Sequence, residues 1–100
     1  MNEETSSKDI SIAQAVSFMR SNRPLRAEEL CRDYLSKNPG CTEHLRLLSH
    51  ALMKQNRLSE AEEKLRFAIS LSPNYPQLHE DLGSVFAMQS RFDEAIPELE

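Results

Sequence analysis

The sequence predicts an all-α solenoid of antiparallel helix-turn-helix pairs, three units long, with the last unit incomplete. Three observations predict it: an internal period of 34 residues, apolar residues at helical spacing within each unit, and a composition that favours helix over sheet. The chain has 100 residues, 39% apolar and 28% charged, with two glycines and no tryptophan. Low glycine with abundant Leu, Ala, Glu, Arg and Gln suits helices.

The period is read from several residue types in one register. Ala27, Ala61 and Ala95 stand 34 residues apart, and so do Pro39 and Pro73, and Leu48 and Leu82. Around the alanines the stretches Asn22-Arg23-Pro24-Leu25-Arg26-Ala27, Asn56-Arg57-Leu58-Ser59-Glu60-Ala61 and Ser90-Arg91-Phe92-Asp93-Glu94-Ala95 correspond position by position.

Residues 1–7, polar and acidic, are expected to form a disordered tail. The first unit covers about 8–41 and closes at Ser36-Lys37-Asn38-Pro39-Gly40. Pro24 sits where a helix begins, a place that tolerates its missing N–H.

In the second unit, 42–75, Leu45, Leu48 and Leu52 share one helical face, while Leu58, Ala61, Leu65, Ala68 and Ile69 share another. Between them, Lys54-Gln55-Asn56-Arg57 is a tight turn, with Asn56 suited to the left-handed conformation. The second helix stops at Ser72-Pro73.

The third unit, 76–100, predicts a helix, a turn near Ser90-Arg91 and the start of a second helix, which Pro97 bends. By the period that helix would run to about residue 106. The chain therefore reads as a fragment of a longer protein or a truncated one. An apolar strip of Phe86, Phe92, Ile96 and Leu99 is then left open to self-association.

Two helices per unit cannot bury both apolar faces, so the pairs must stack. The small residues Ala27, Ala61 and Ala95, with Ala15, Ser49 and Gly83 on partner helices, mark where backbones pass closely. Cys31 falls inside a helical pattern and reads as a small buried hydrophobe rather than half of a disulfide with Cys41.

The period, the small residues at the helix crossing and the closing proline resemble the tetratricopeptide repeat family. The third unit is closest through Leu78, Leu82, Gly83, Ala95 and Ile96. The second matches through Leu45, Leu48, Ser49, Leu52, Leu58, Ala61, Leu65, Ala68 and Pro73. The resemblance runs from about Lys8 to the end and implies a right-handed solenoid. Departures concentrate in the first unit, with Ser11 at a position that is often aromatic, Gln14 in the place of Leu48, and Tyr34 in the place of Ala68. Polar substitutions are expected in a terminal repeat, which has one face without a neighbour.

The resemblance implies a binding groove lined by the first helix of each pair. Unit one contributes Asp9, Ile12, Val16, Met19 and Arg20; unit two Glu43, Arg46, His50, Met53 and Lys54; unit three Gln77, Glu80, Ser84, Ala87 and Met88. Met19, Met53 and Met88 would form an adaptable wall for a helix or extended peptide, or else fill gaps between repeats. Some family members grip a chaperone's C-terminal carboxylate with Lys, Arg and Asn. Ile12, Val16, Gln77 and Asp81 stand there instead, which disfavours that ligand.

No catalytic or cofactor signature emerges. His44 and His50 lie six apart and do not share a helix face, and no Cys-x-x-Cys or His-x-x-x-His pair exists, so no metal site is expected. A nucleophilic pair of Cys41 and His44 is set aside because both flank a turn without evident oxyanion donors. The acidic runs Glu28-Glu29, Glu60-Ala61-Glu62-Glu63 and Asp93-Glu94 suit the first turns of second helices, facing solvent.

The expected function is a protein–protein interaction scaffold that binds a protein or peptide and catalyses nothing itself. A second reading makes it the non-catalytic N-terminal arm of a bacterial sulfotransferase- or glycosyltransferase-type enzyme. A third, an RNA-binding helical repeat, is disfavoured by the strict period and the net charge of −4. The pI near 5.4 gives no reason to seek nucleic acid or anionic membrane. With no apolar leader or spanning stretch, the chain reads as cytoplasmic.

Overall fold

The computed structural model describes the backbone of residues 3–95 and the side chains of residues 7–90. Five helices follow one another: α1 Glu3–Arg20, α2 Pro24–Lys37, α3 Thr42–Lys54, α4 Leu58–Leu71 and α5 Pro76–Ala95. Neighbours in sequence pack as neighbours in space, and α1 also packs on α3. The result is an elongated stack of 58 × 30 × 20 Å, an all-α helical-repeat solenoid.

The turns show why the pairs form. Asn56 has φ 62°, and its N–H donates to the Met53 carbonyl at 3.0 Å while the Arg57 N–H reaches back to Leu52 at 2.9 Å. These two bonds close the end of α3 in a Schellman arrangement, which needs a residue tolerant of the left-handed region. One period earlier Asn22 does the same, with φ 59°, Asn22 donating to Met19 at 3.1 Å and Arg23 to Phe18 at 2.8 Å. Pro24 opens α2 as expected.

The core is continuous through the stack: Ala15, Cys31, Leu45, Leu48, Leu52, Leu58, Ala61, Leu65, Ala68, Leu78 and Val85 are all buried. Ala15, Ala27, Ser49 and Ala61 have no exposed surface, as the close passage of paired helices requires. Cys31 is one of these buried small residues, and both cysteines are free thiols.

Two expectations are corrected. Helix α1 begins at Glu3, so it takes in most of the stretch read as a disordered tail. Acidic Glu3 and Glu4 favour a helix N-terminus through the dipole. The break near Ser90 is absent as well, since α5 runs unbroken from Pro76 to Ala95. Ser90 replaces the asparagine that accepts positive φ at 22 and 56, and serine gains little from leaving the helix there.

Of the expected apolar strip, Phe86 is 40% exposed, with the Arg66 guanidinium 5.6 Å from its ring centre. The side chains of Phe92, Ala95, Ile96 and Leu99 and the bend at Pro97 lie outside the described residues. Gly83, expected at a close helix passage, is exposed with nothing within 4 Å of where a Cβ would stand, because α5 does not turn back on itself.

Candidate functional site

The first helices of the pairs, α1, α3 and α5, carry the residues assigned to the groove. On α1, Ile12, Val16 and Met19 are half-buried and Arg20 is exposed. On α3, Glu43, Arg46, His50 and Met53 are half-buried and Lys54 is exposed. On α5, Gln77, Glu80 and Ser84 are exposed, while half-buried Met88, like Met53, packs against the core. Spacings of three and four place each set on one stripe of its helix.

Three of these side chains are held by neighbouring repeats. Arg46 Nε donates to Asp81 Oδ2 at 2.6 Å, and His50 Nε2 lies 2.8 Å from the same oxygen. The hydrogen bond to Asp81 makes the Arg46 guanidinium harder still to deprotonate, with Tyr75 adding to the effect. Lys8 Nζ pairs with Glu43 Oε1 at 3.1 Å, which raises the lysine. Burial alone would raise Glu43, but its backbone N–H and Lys8 hold it below the usual carboxylate range.

Sequence reading missed the roles of Asp81 and Lys8. Both ion pairs span 35 residues, one period plus one, and opposite charges at that offset were a usable signal.

A second cluster forms where α1, α2 and α3 meet. His44 is fully buried. Its Nδ1 lies 3.1 Å from Cys41 Sγ, its Nε2 lies 2.8 Å from Ser11 Oγ, and its ring stacks on Tyr34 with centres 3.8 Å apart. The Cys41–His44 pair that the sequence reading set aside is therefore in contact, because Cys41 caps α3 and His44 sits in its first turn. Ser11 and Tyr34, read as substitutions on an open face, are partners of this buried imidazole.

Burial pushes His44 down, which keeps it neutral, and it pushes the Cys41 thiol up, against the pull of the His44 backbone N–H and of Lys8. The buried Cys31 thiol is pushed up to about 12.

A third cluster corrects the expectation that Glu28 faces solvent. It is 8% exposed, and its carboxylate accepts from Arg57 at 2.8 Å and from Gln55 and Arg32 at 2.9 Å each. The turn after α3 brings Gln55 and Arg57 onto α2. One period later Glu62 accepts from Arg66 at 2.9 Å and Gln89 at 3.3 Å, the same clasp repeated.

Two clefts, of about 590 and 510 Å³, open beside the first pair of helices and share Ser7, Tyr34 and Asn38. No residue assigned to the groove lines either one. Among the described residues no metal-holding group of His, Cys, Asp and Glu is found, and no helix is long and apolar enough to cross a membrane.

Comparison with known proteins agrees with the fold. A search of curated proteins returns no match. The family model described as tetratricopeptide repeat matches residues 12–76 and again residues 46–100. The second match starts one 34-residue period after the first, in register with the turns at Asn22 and Asn56. Repeats of this kind generally mediate protein–protein interactions and are typically non-catalytic. The chain belongs to the tetratricopeptide repeat family.

Proposed function

We propose that the chain binds an extended peptide or a partner helix along the inner stripe of α1, α3 and α5. The observation that carries this reading is the composition of the stripe. Ile12, Val16 and Met19 present half-exposed apolar surface on α1, and Met53 and Met88 continue it on α3 and α5. Exposed Arg20 and Lys54, one period apart, stand at the same end of consecutive inner helices.

A ligand suited to this surface carries apolar side chains toward Val16 and an acidic group toward Arg20 and Lys54. The methionines adapt their shape to it, and the two cations fix its direction. Because Glu43, Arg46 and His50 are already joined to neighbouring repeats, they stiffen the floor of the groove more than they select a ligand.

A peptide library selected on the folded chain tests the reading. Val16→Glu and Lys54→Glu should each weaken the best binders about tenfold or more, while Lys37→Glu on α2 leaves them unchanged. Binding that survives both inner-helix substitutions, or that is lost with Lys37→Glu, contradicts the proposal.

A further inference from the structure

In the Cys41–His44–Ser11 cluster, Cys41 opens onto the cleft of about 590 Å³, Ser11 lines the neighbouring one, and His44 is buried between them. We propose that Cys41 is a covalent acceptor for small α,β-unsaturated carbonyl compounds, with His44 as the base that receives the thiol proton.

The geometry supplies the parts. Cys41 is partly exposed and lines the cleft of about 590 Å³ together with Lys8, Tyr34 and Asn38. His44 Nδ1 lies 3.1 Å behind the sulfur, within reach of its proton. When the thiol donates to Nδ1, Nε2–H is left to donate to Ser11 Oγ at 2.8 Å; the Glu43 carboxylate, 3.6 Å from the sulfur, is the thiol's other acceptor. The Tyr34 ring, 8° from coplanar, fixes the plane of the imidazole. A nucleophile, a base and a group orienting that base are the arrangement that activates a thiol. Cys31, in contrast, is buried in the core and lines neither cleft beside the first pair of helices.

The class of electrophile follows from the charge balance. As the sulfur bonds to the β-carbon, the thiol proton passes to Nδ1 and the C=C electron pair moves to the α-carbon and carbonyl oxygen as an enolate. The α-carbon then takes a proton from water in the open cleft, and the imidazolium returns its proton to the hydroxide so formed. The net change is addition of S–H across the double bond, with no leaving group and no oxidant. Thiol and imidazole are both neutral before the reaction, and both the adduct and the imidazole are neutral after it. That suits a buried histidine, which carries a lasting charge only at high cost.

The Lys8 ammonium lines the same cleft but is paired with Glu43 at 3.1 Å, and the Glu43 carboxylate also lies 3.6 Å from the sulfur. These two opposite charges flank the thiol, and His44 is the neutral base beside it. Cys41 stands at the N-cap position of α3, where the His44 backbone N–H favours the developing thiolate against the burial that opposes it.

Acrylamide, itself an α,β-unsaturated carbonyl, is the probe. The intact folded chain should take up one acrylamide, which peptide mapping places on Cys41 with Cys31 unmodified. Between about pH 6 and pH 9 the rate should fall less steeply than the thiolate fraction, because His44 activates the neutral thiol. His44→Asn, with its fold checked by circular dichroism, should slow the reaction at pH 7 about tenfold or more.

A unit slope across that range in the unmodified protein overturns the proposal, and so does adduct on Cys31. A folded His44→Asn chain that reacts at the original rate overturns it too. If that variant does not fold, the pH profile of the unmodified protein decides.

Discussion

Arg46 on α3 and Asp81 on α5 meet at 2.6 Å, a charge-assisted hydrogen bond joining the second repeat to the third. Their side chains are 29% and 15% exposed, and His50 shares the same carboxylate oxygen. Replacing Asp81 with Ala should cost about 1–2 kcal/mol in urea unfolding, reduced from a fully buried pair by the partial exposure of Arg46. Amide exchange in α5 should accelerate more than in α3. Equal acceleration throughout would mean that Asp81 does not hold α5 to the stack.

His44 makes stability depend on pH near neutrality. Burial lowers its folded pKa below the ordinary 6.5, so the unfolded chain binds more protons in the window between the two values. Stability therefore rises with pH through that window and is complete above about pH 7. Thermal melts should show Tm falling as pH drops from about 7.5 toward 5, and His44→Phe should flatten this limb. A Tm that rises on acidification would reverse the assignment.

Glu28 adds a second, more acidic limb. Burial by itself would raise its carboxyl, but hydrogen bonds from Gln55, Arg32 and Arg57 together hold it below the ordinary 4.5. Its folded pKa is the lower one, so its contribution is present above 4.5 and fades as pH falls through the folded value. Glu28→Gln should cost about 1.5–3 kcal/mol at pH 7 by urea titration and less at about pH 3. An equal cost at both pH values would show that charge is not what the clasp needs.

Asn56 holds φ 62° at the turn between α3 and α4. Asn56→Ala should cost about 1 kcal/mol, while Asn56→Gly changes stability by only a few tenths, because glycine enters the left-handed region freely. Equal losses for both variants in denaturant titrations would point to the asparagine side chain rather than the backbone.

The repeat and its packing were legible because a 34-residue period with small residues at fixed places leaves few ways to bury two apolar faces. The turn at Asn56 followed from one residue's tolerance of positive φ. The polar interior was harder to read. Glu28 looked like an ordinary dipole-facing acid because Gln55 and Arg57, its partners, lie 27 and 29 residues away. Ser11 and Tyr34 looked like terminal-repeat departures until His44, 33 and 10 residues away, was seen between them. The missing break at Ser90 turns on serine standing where the two earlier turns have asparagine, a residue more tolerant of positive φ.

We propose the inner stripe of α1, α3 and α5 as the binding face. Amide chemical-shift mapping with a library-selected peptide tests it most directly. Shifts should concentrate at Ile12, Val16, Met19, Met53, Lys54 and Met88, with α2 and α4 nearly silent. Shifts centred on α2 or α4, with the inner stripe unmoved, would contradict it.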